Sequence, residues 1–207
     1  MSKLLFSVAA LAAIGVAAPA SAAVTVCSGG GCAPQPHSNV QVTGGQTGST
    51  VSGTLNNAPG TVEFTSAQSL ATQGQRVAAA TGGLTDPLDI SFTGGLINAL
   101  EFNLNALTGG TVSFSFSGGD SNGVTTGPLA LRANGSNFFN VGGGSFDRIS
   151  ISFGDNASLQ DIRQVRLAIA GAVGDVPEPA TWALMILGFG AVAGTMRRRR
   201  TRIAFAA

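Results

Sequence analysis

Few side chains in this sequence could do chemistry, and their spacing restricts what that chemistry could be. Cys27 and Cys32 are its only cysteines, separated by the four residues Ser28 to Gly31. In an oxidising compartment such a pair forms a local disulfide, closing a short glycine-rich loop and contributing about 2 kcal/mol. A metal site would need further ligands, and only His37 is close in sequence. Gly119-Asp120-Ser121-Asn122-Gly123 matches the G-x-S-x-G pattern of a nucleophile elbow. That pattern needs a strand running into a helix, yet Val124 to Pro128 reads as loop or strand. The single histidine also precedes the serine, the reverse of hydrolase order. A hairpin turn is the better reading, and neither catalytic residues nor a cofactor are expected. Asp86 with Asp89, or Asp120 with Asn122, offers oxygen ligands of the kind Ca²⁺ takes. Turn caps and solvated strand faces explain them more simply, so no metal site is expected. There is no tyrosine, and the one tryptophan, Trp182, lies near the C-terminus. Phe138-Phe139 is the best remaining aromatic surface for a sugar, since one of two adjacent strand residues must point outward.

The elements that must position these groups read as strands. Leu88, Ile90 and Phe92 alternate with polar residues, as do Leu100, Phe102 and Leu104, then Val112, Phe114 and Phe116. Ile149, Ile151 and Phe153, and later Val165, Leu167 and Ile169, repeat the pattern. A period of two with one apolar face is that of antiparallel strands lying against a core. Gly82-Gly83, Gly94-Gly95, Gly109-Gly110, Gly118-Gly119, Asn134-Gly135 and Gly142-Gly143-Gly144 separate the runs as turns. The expected fold is all-β, an antiparallel β-sandwich of jelly-roll type, flanked by an N-terminal signal helix and a C-terminal transmembrane helix. Leu70 to Ala80 reads as strand or loop, and Thr43 to Gly53 as a flexible lead-in or irregular edge.

Composition agrees. Of 207 residues only 10% are charged and 30 are glycine, so the surface is neutral and rich in turns. Six of the eleven basic residues crowd the two ends. Within residues 23–175, five arginines face nine acids, a net charge of −4 that argues against a nucleic-acid partner.

The ends read as addresses. Residues 1–22 form a secretory signal: Lys3 is the basic start, Leu4 to Ala18 the apolar core and Ala20-Ser21-Ala22 the cleavage site. The Sec translocon and signal peptidase are the implied partners. Residues 23–175 are the exported domain, and 176–207 a tail. In that tail Val176-Pro177-Glu178-Pro179 is a stiff extended segment, because each proline restricts its predecessor. Ala180 to Met196 follows as an apolar run whose helix would be about 25 Å long, just short of the hydrocarbon core. Arg197, Arg198, Arg199 and Arg200 then act as a stop-transfer cluster that stays on the cytoplasmic side. Gly190 and Gly194 also have the small-xxx-small spacing of helix dimers.

Pro177, Glu178, Pro179, Trp182 and Ala183, with Gly188, Gly190 and the arginine run, resemble the PEP-CTERM family in its Pro-Glu-Pro-x-x-Trp-Ala form. The resemblance implies a Gram-negative exported protein whose tail is recognised and removed by an exosortase, a membrane-embedded cysteine transpeptidase-like enzyme. It also implies association with extracellular polysaccharide at the cell surface. The stretches Asn137 to Asn140 and Asp161 to Arg166 are similar to the closing part of β-rich domains in some members of the family, without defining any chemistry. Three readings follow for the exported domain: a structural or adhesive matrix protein, a carbohydrate-binding module using Phe138 or Phe139, or a plainly anchored β-domain.

Overall fold

The computed structural model describes residues 23–29, 36–170 and 179–198, and in the last of these the side chains of 184–193. Twelve strands occupy the first two segments: β1 (Thr25–Ser28), β2 (Ser38–Val42), β3 (Thr47–Leu55), β4 (Thr61–Gln73), β5 (Arg76–Ala79) and β6 (Leu88–Phe92). They continue as β7 (Ile97–Thr108), β8 (Gly110–Ser117), β9 (Thr125–Leu131), β10 (Gly135–Phe146), β11 (Arg148–Gly154) and β12 (Ser158–Ile169). A single helix, α1 (Pro179–Arg198), follows.

The alternating runs became strands with their apolar members inside. Leu88, Ile90 and Phe92 of β6, Val112, Phe114 and Phe116 of β8 and Ile149 and Ile151 of β11 are all buried. Leu70 to Ala80 is a hairpin, β4 to β5, turned at Gly74-Gln75 with Gly74 at φ 60°. Most of Thr43 to Gly53 belongs to β3, paired with β2 and β4.

All strands pair antiparallel in one sheet, ordered β1-β10-β7-β12-β2-β3-β4-β6-β11-β8-β9, with β5 joining β12 to β4. Where two separate sheets were expected, the hydrogen-bonded ladder is continuous. Its halves nonetheless face each other. Phe114 of β8 meets Phe139 of β10 at 5.2 Å and Phe102 of β7 at 5.8 Å between ring centroids, and Phe116 of β8 meets Phe146 of β10 at 5.0 Å. None of these strands pairs with the other across those contacts, so the rings meet through the interior. The sheet is folded over on itself, and β2-β3 and β5-β4 carry the hydrogen bonding around the fold. From β5 onward the ladder is nested: β5 pairs with β12, β6 with β11, β7 with β10 and β8 with β9. The edge strand β9 contains Pro128, which offers no N–H to a foreign strand.

Among the described residues no helix is long and apolar enough to cross a membrane. The expected span is helical, within α1, but it is not shown as a span. The expected signal helix, residues 1–22, lies outside the described residues.

Candidate functional site: a groove at the split edge of β12

On one side β12 pairs with β7 along its length; on the other it changes partner. Ile162 and Arg163 pair with Val77 and Arg76 of β5, whereas Arg166 and Leu167 pair with Asn39 and Ser38 of β2. The change coincides with a bulge. Gln164 has φ 54°, and the register against β7 slips between Arg163 and Arg166. An inserted residue interrupts the alternation of a strand and re-aims its side chains. Ile162 and Val165, three apart, both remain in the core. Arg163, Gln164 and Arg166 are thereby all presented to the opposite face.

The notch between β5 and β2 opens a groove of about 1180 Å³ over that face. One cross-strand row forms its bed, and a second, of which only Arg166 and Asn39 line the groove, runs alongside, because directly paired residues share a face. Phe138 of β10 pairs with Asn103 of β7, Asn103 with Arg163 of β12, and Arg163 with Arg76 of β5. Three strand spacings make that row about 14 Å long. In the next row Asn140, Glu101, Arg166 and Asn39 pair in turn. One wall is the β4–β5 turn, tied down where Val42 N–H donates to Gln75 Oε1 at 2.9 Å.

Charge is layered here. Glu101 and Asp161, with side chains 7% and 4% exposed, are the buried anions. Arg166 Nη1 lies 3.6 Å from Glu101 Oε1, and Arg163 Nε 3.5 Å from Asp161 Oδ1. Asn105 Nδ2 donates to Asp161 Oδ2 at 3.1 Å. The Asn140 amide, with its nitrogen turned toward the carboxylate, donates to Glu101 Oε2 at 3.0 Å. Asn103 is buried; its Nδ2 donates to Gln164 Oε1 at 3.0 Å, while its Oδ1 has no partner. Arg163 Nη2 also donates to Ser136 Oγ at 3.3 Å.

The two phenylalanines divide as strand geometry demands. Phe138 lines the groove, half-buried. Phe139 is fully buried, between Phe102 and Phe114, and cannot serve a ligand. The stretch Asp161 to Arg166, to which the sequence assigned no chemistry, supplies two of the groove's three cations. One signal was present: the apolar spacing is three from Ile162 to Val165 and only then two, to Leu167 and Ile169, as a bulge requires.

The G-x-S-x-G residues form a turn. Residues Gly119–Ser121 make one turn of 3₁₀ helix between β8 and β9, where an elbow would need a longer helix. Gly119 has φ 53°, and a Cβ there would collide with the Ser145 carbonyl oxygen. Asp120 accepts from Ser145 Oγ at 3.2 Å, and Asn122 Oδ1 accepts from Gly118 N–H at 3.2 Å. Ser121 is buried beside Gly144, its Oγ unpartnered and bonded to no base. His37 is exposed ahead of β2.

Cys27, in β1, is disulfide-bonded; Cys32 lies outside the described residues. Asp89 of β6 pairs with Ser150 and Thr65, and among the described residues no three His, Cys, Asp or Glu side chains converge.

In the tail, Pro177 and Glu178 lie outside the described residues, as do Arg199 and Arg200. Pro179 opens α1, Trp182 and Ala183 fall in its first turns, and Arg197 and Arg198 close it. Leu184, Ile186, Leu187 and Phe189 are each about 70% exposed, and Met185 and Val192 about half. Successive helical residues turn by about 100°, so Leu184 to Leu187 present apolar side chains in every direction. A helix that is apolar all round is made for surroundings other than water. Residues 175–200 match the family model of the PEP-CTERM protein-sorting motif. The PEP-CTERM motif thus begins just ahead of Pro177 and ends at Arg200, covering the whole handle, helix and arginine cluster. No curated protein and no solved structure matches the chain.

Proposed function

We propose that this chain is exported through the Sec translocon, trimmed by signal peptidase after residue 22, and held in the inner membrane by its C-terminal helix. An exosortase-type enzyme then cuts the tail near Pro177 to Pro179, and the β-domain passes to the cell surface or beyond, among extracellular polysaccharide. Its role there is binding or structural, without turnover. The nested ladder of β5 to β12 supports a jelly-roll architecture for the domain, since a long antiparallel ribbon rolled over on itself makes those pairings.

The PEP-CTERM motif over residues 175–200 carries the reading. α1 adds a physical reason. Burying its six large exposed apolar side chains in lipid is worth on the order of 10 kcal/mol, at about 1.5–3 kcal/mol each. Intact-mass measurement of the protein recovered from the surface of its native host tests the proposal. The expected mass lacks the residues from Trp182 to Ala207. Full-length tail in surface material, from cells with an active exosortase, would leave a plain membrane anchor in its place.

A further inference from the structure

Three of the five arginines between the chain's basic ends, Arg76, Arg163 and Arg166, line the β12 groove, and no carboxylate does. The acids that answer two of them, Asp161 and Glu101, lie beneath, almost wholly buried. A guanidinium carries five N–H donors in a fixed fork. Arg163 is ion-paired with Asp161 and donates to Ser136, and Arg166 is ion-paired with Glu101, so both keep donors for the groove. Arg76 is exposed and, among the described residues, has no carboxylate partner. A domain of net charge −4 therefore concentrates its cations on one concave face. Because surface fields fade within about 8–10 Å in physiological salt, the local excess governs what binds there.

The floor asks for the opposite hydrogen-bonding partner. Asn103 is 2% exposed, its Oδ1 is an acceptor without a donor, and it lines the groove. A buried acceptor in that state costs about 1–3 kcal/mol until a donor reaches it. At the end of the same row stands the half-buried ring of Phe138. A ligand that satisfies all three features carries anionic groups, hydroxyl donors and an apolar ring face, spread along about 14 Å.

We propose that this groove binds an acidic polysaccharide, a chain of uronic-acid sugars. Carboxylates lie against Arg76 and the Arg163–Arg166 pair, a hydroxyl donates to Asn103 Oδ1, and a pyranose C–H face packs on Phe138. Arg–carboxylate forks supply the preference for charged over neutral sugar. This assignment names the ligand class of the surface protein proposed above and rests on its export.

The test uses the full chain in detergent micelles, titrated with polygalacturonate as the uronic-acid polymer and dextran as the neutral one. Polygalacturonate should bind saturably and more weakly as salt rises. Arg76→Ala and Phe138→Ala should each weaken it at least tenfold. Arg132→Ala removes the same charge from an exposed position outside the groove and should leave binding unchanged. Absence of saturation at millimolar sugar, equal binding of dextran, or an equal loss in Arg132→Ala would overturn the assignment. Surface protein that has lost its tail but ignores polygalacturonate sinks the groove alone. Protein that binds the polymer yet keeps Trp182 to Ala207 sinks the sorting reading alone.

Discussion

Replacing Phe139 by alanine should destabilise the β-domain severely, while the same change at Phe138 should hardly be felt. Phe139 is fully buried, with ring centroids of Phe114 and Phe102 at 5.2 and 5.9 Å. Truncating such a ring costs about 3–5 kcal/mol, which combines lost transfer energy with the cavity left between two facing halves of a sheet. Against a total stability of about 5–15 kcal/mol, the variant still folds but with a much reduced margin. For a domain of this size each kcal/mol lowers the melting temperature by about 2–4 °C, so a loss of 4 kcal/mol is a drop of about 8–16 °C. Phe138 is half-buried on the groove bed and takes no part in the aromatic cluster; its truncation should cost under about 1 kcal/mol. Far-UV circular dichroism of both variants, melted thermally and in urea, measures the contrast. Equal losses for the two, or a Phe139→Ala cost below about 2 kcal/mol, would mean that the strand faces of β10 are assigned wrongly.

Four further outcomes follow from the same geometry. Gly119→Ala should lower the unfolding free energy measured in urea by about 1–3 kcal/mol, since the left-handed backbone and the Ser145 carbonyl both oppose a Cβ, and an unchanged value would contradict that turn. Ser121→Ala should be neutral or slightly stabilising in the same assay, because it removes a buried hydroxyl without a partner. Arg163→Ala strips Asp161 of its guanidinium and should cost about 1–3 kcal/mol, with Arg163→Ala/Asp161→Asn recovering part of the loss; no recovery would mean that the pair does not matter. Glu178→Gln and Pro179→Ala should leave the melting of the β-domain unchanged while uncut precursor accumulates in the inner membrane, and normal trimming of both variants would reduce the tripeptide to a linker.

What was legible in the sequence is what depends on neighbours along the chain. Alternation placed Leu88, Ile90 and Phe92, and Val112, Phe114 and Phe116, on buried faces, because strand side chains alternate whatever the partner strand is. The sorting motif was equally legible: a proline-flanked handle, an apolar helix and an arginine cluster are contiguous, and a processing enzyme must read them as a linear string. Leu70 to Ala80 could be read only as strand or loop, and not as the hairpin it is, since the short alanine-rich β5 has weak periodicity and gains its state from pairing with β4 and β12.

Tertiary structure decided everything that needed residues far apart to meet. No local pattern tells which of Phe138 and Phe139 faces inward until β7 fixes the register of β10. Nor does one tell that Arg76 lies opposite Arg163, 87 positions later, because that pairing arises only when the ribbon rolls over and β5 and β2 share one edge of β12. The sequence by itself thus determined the strand faces and the tail's address, both set by short-range periodicity and composition. The folded chain alone determined the groove, because cross-strand pairing and a single bulge put its charges together.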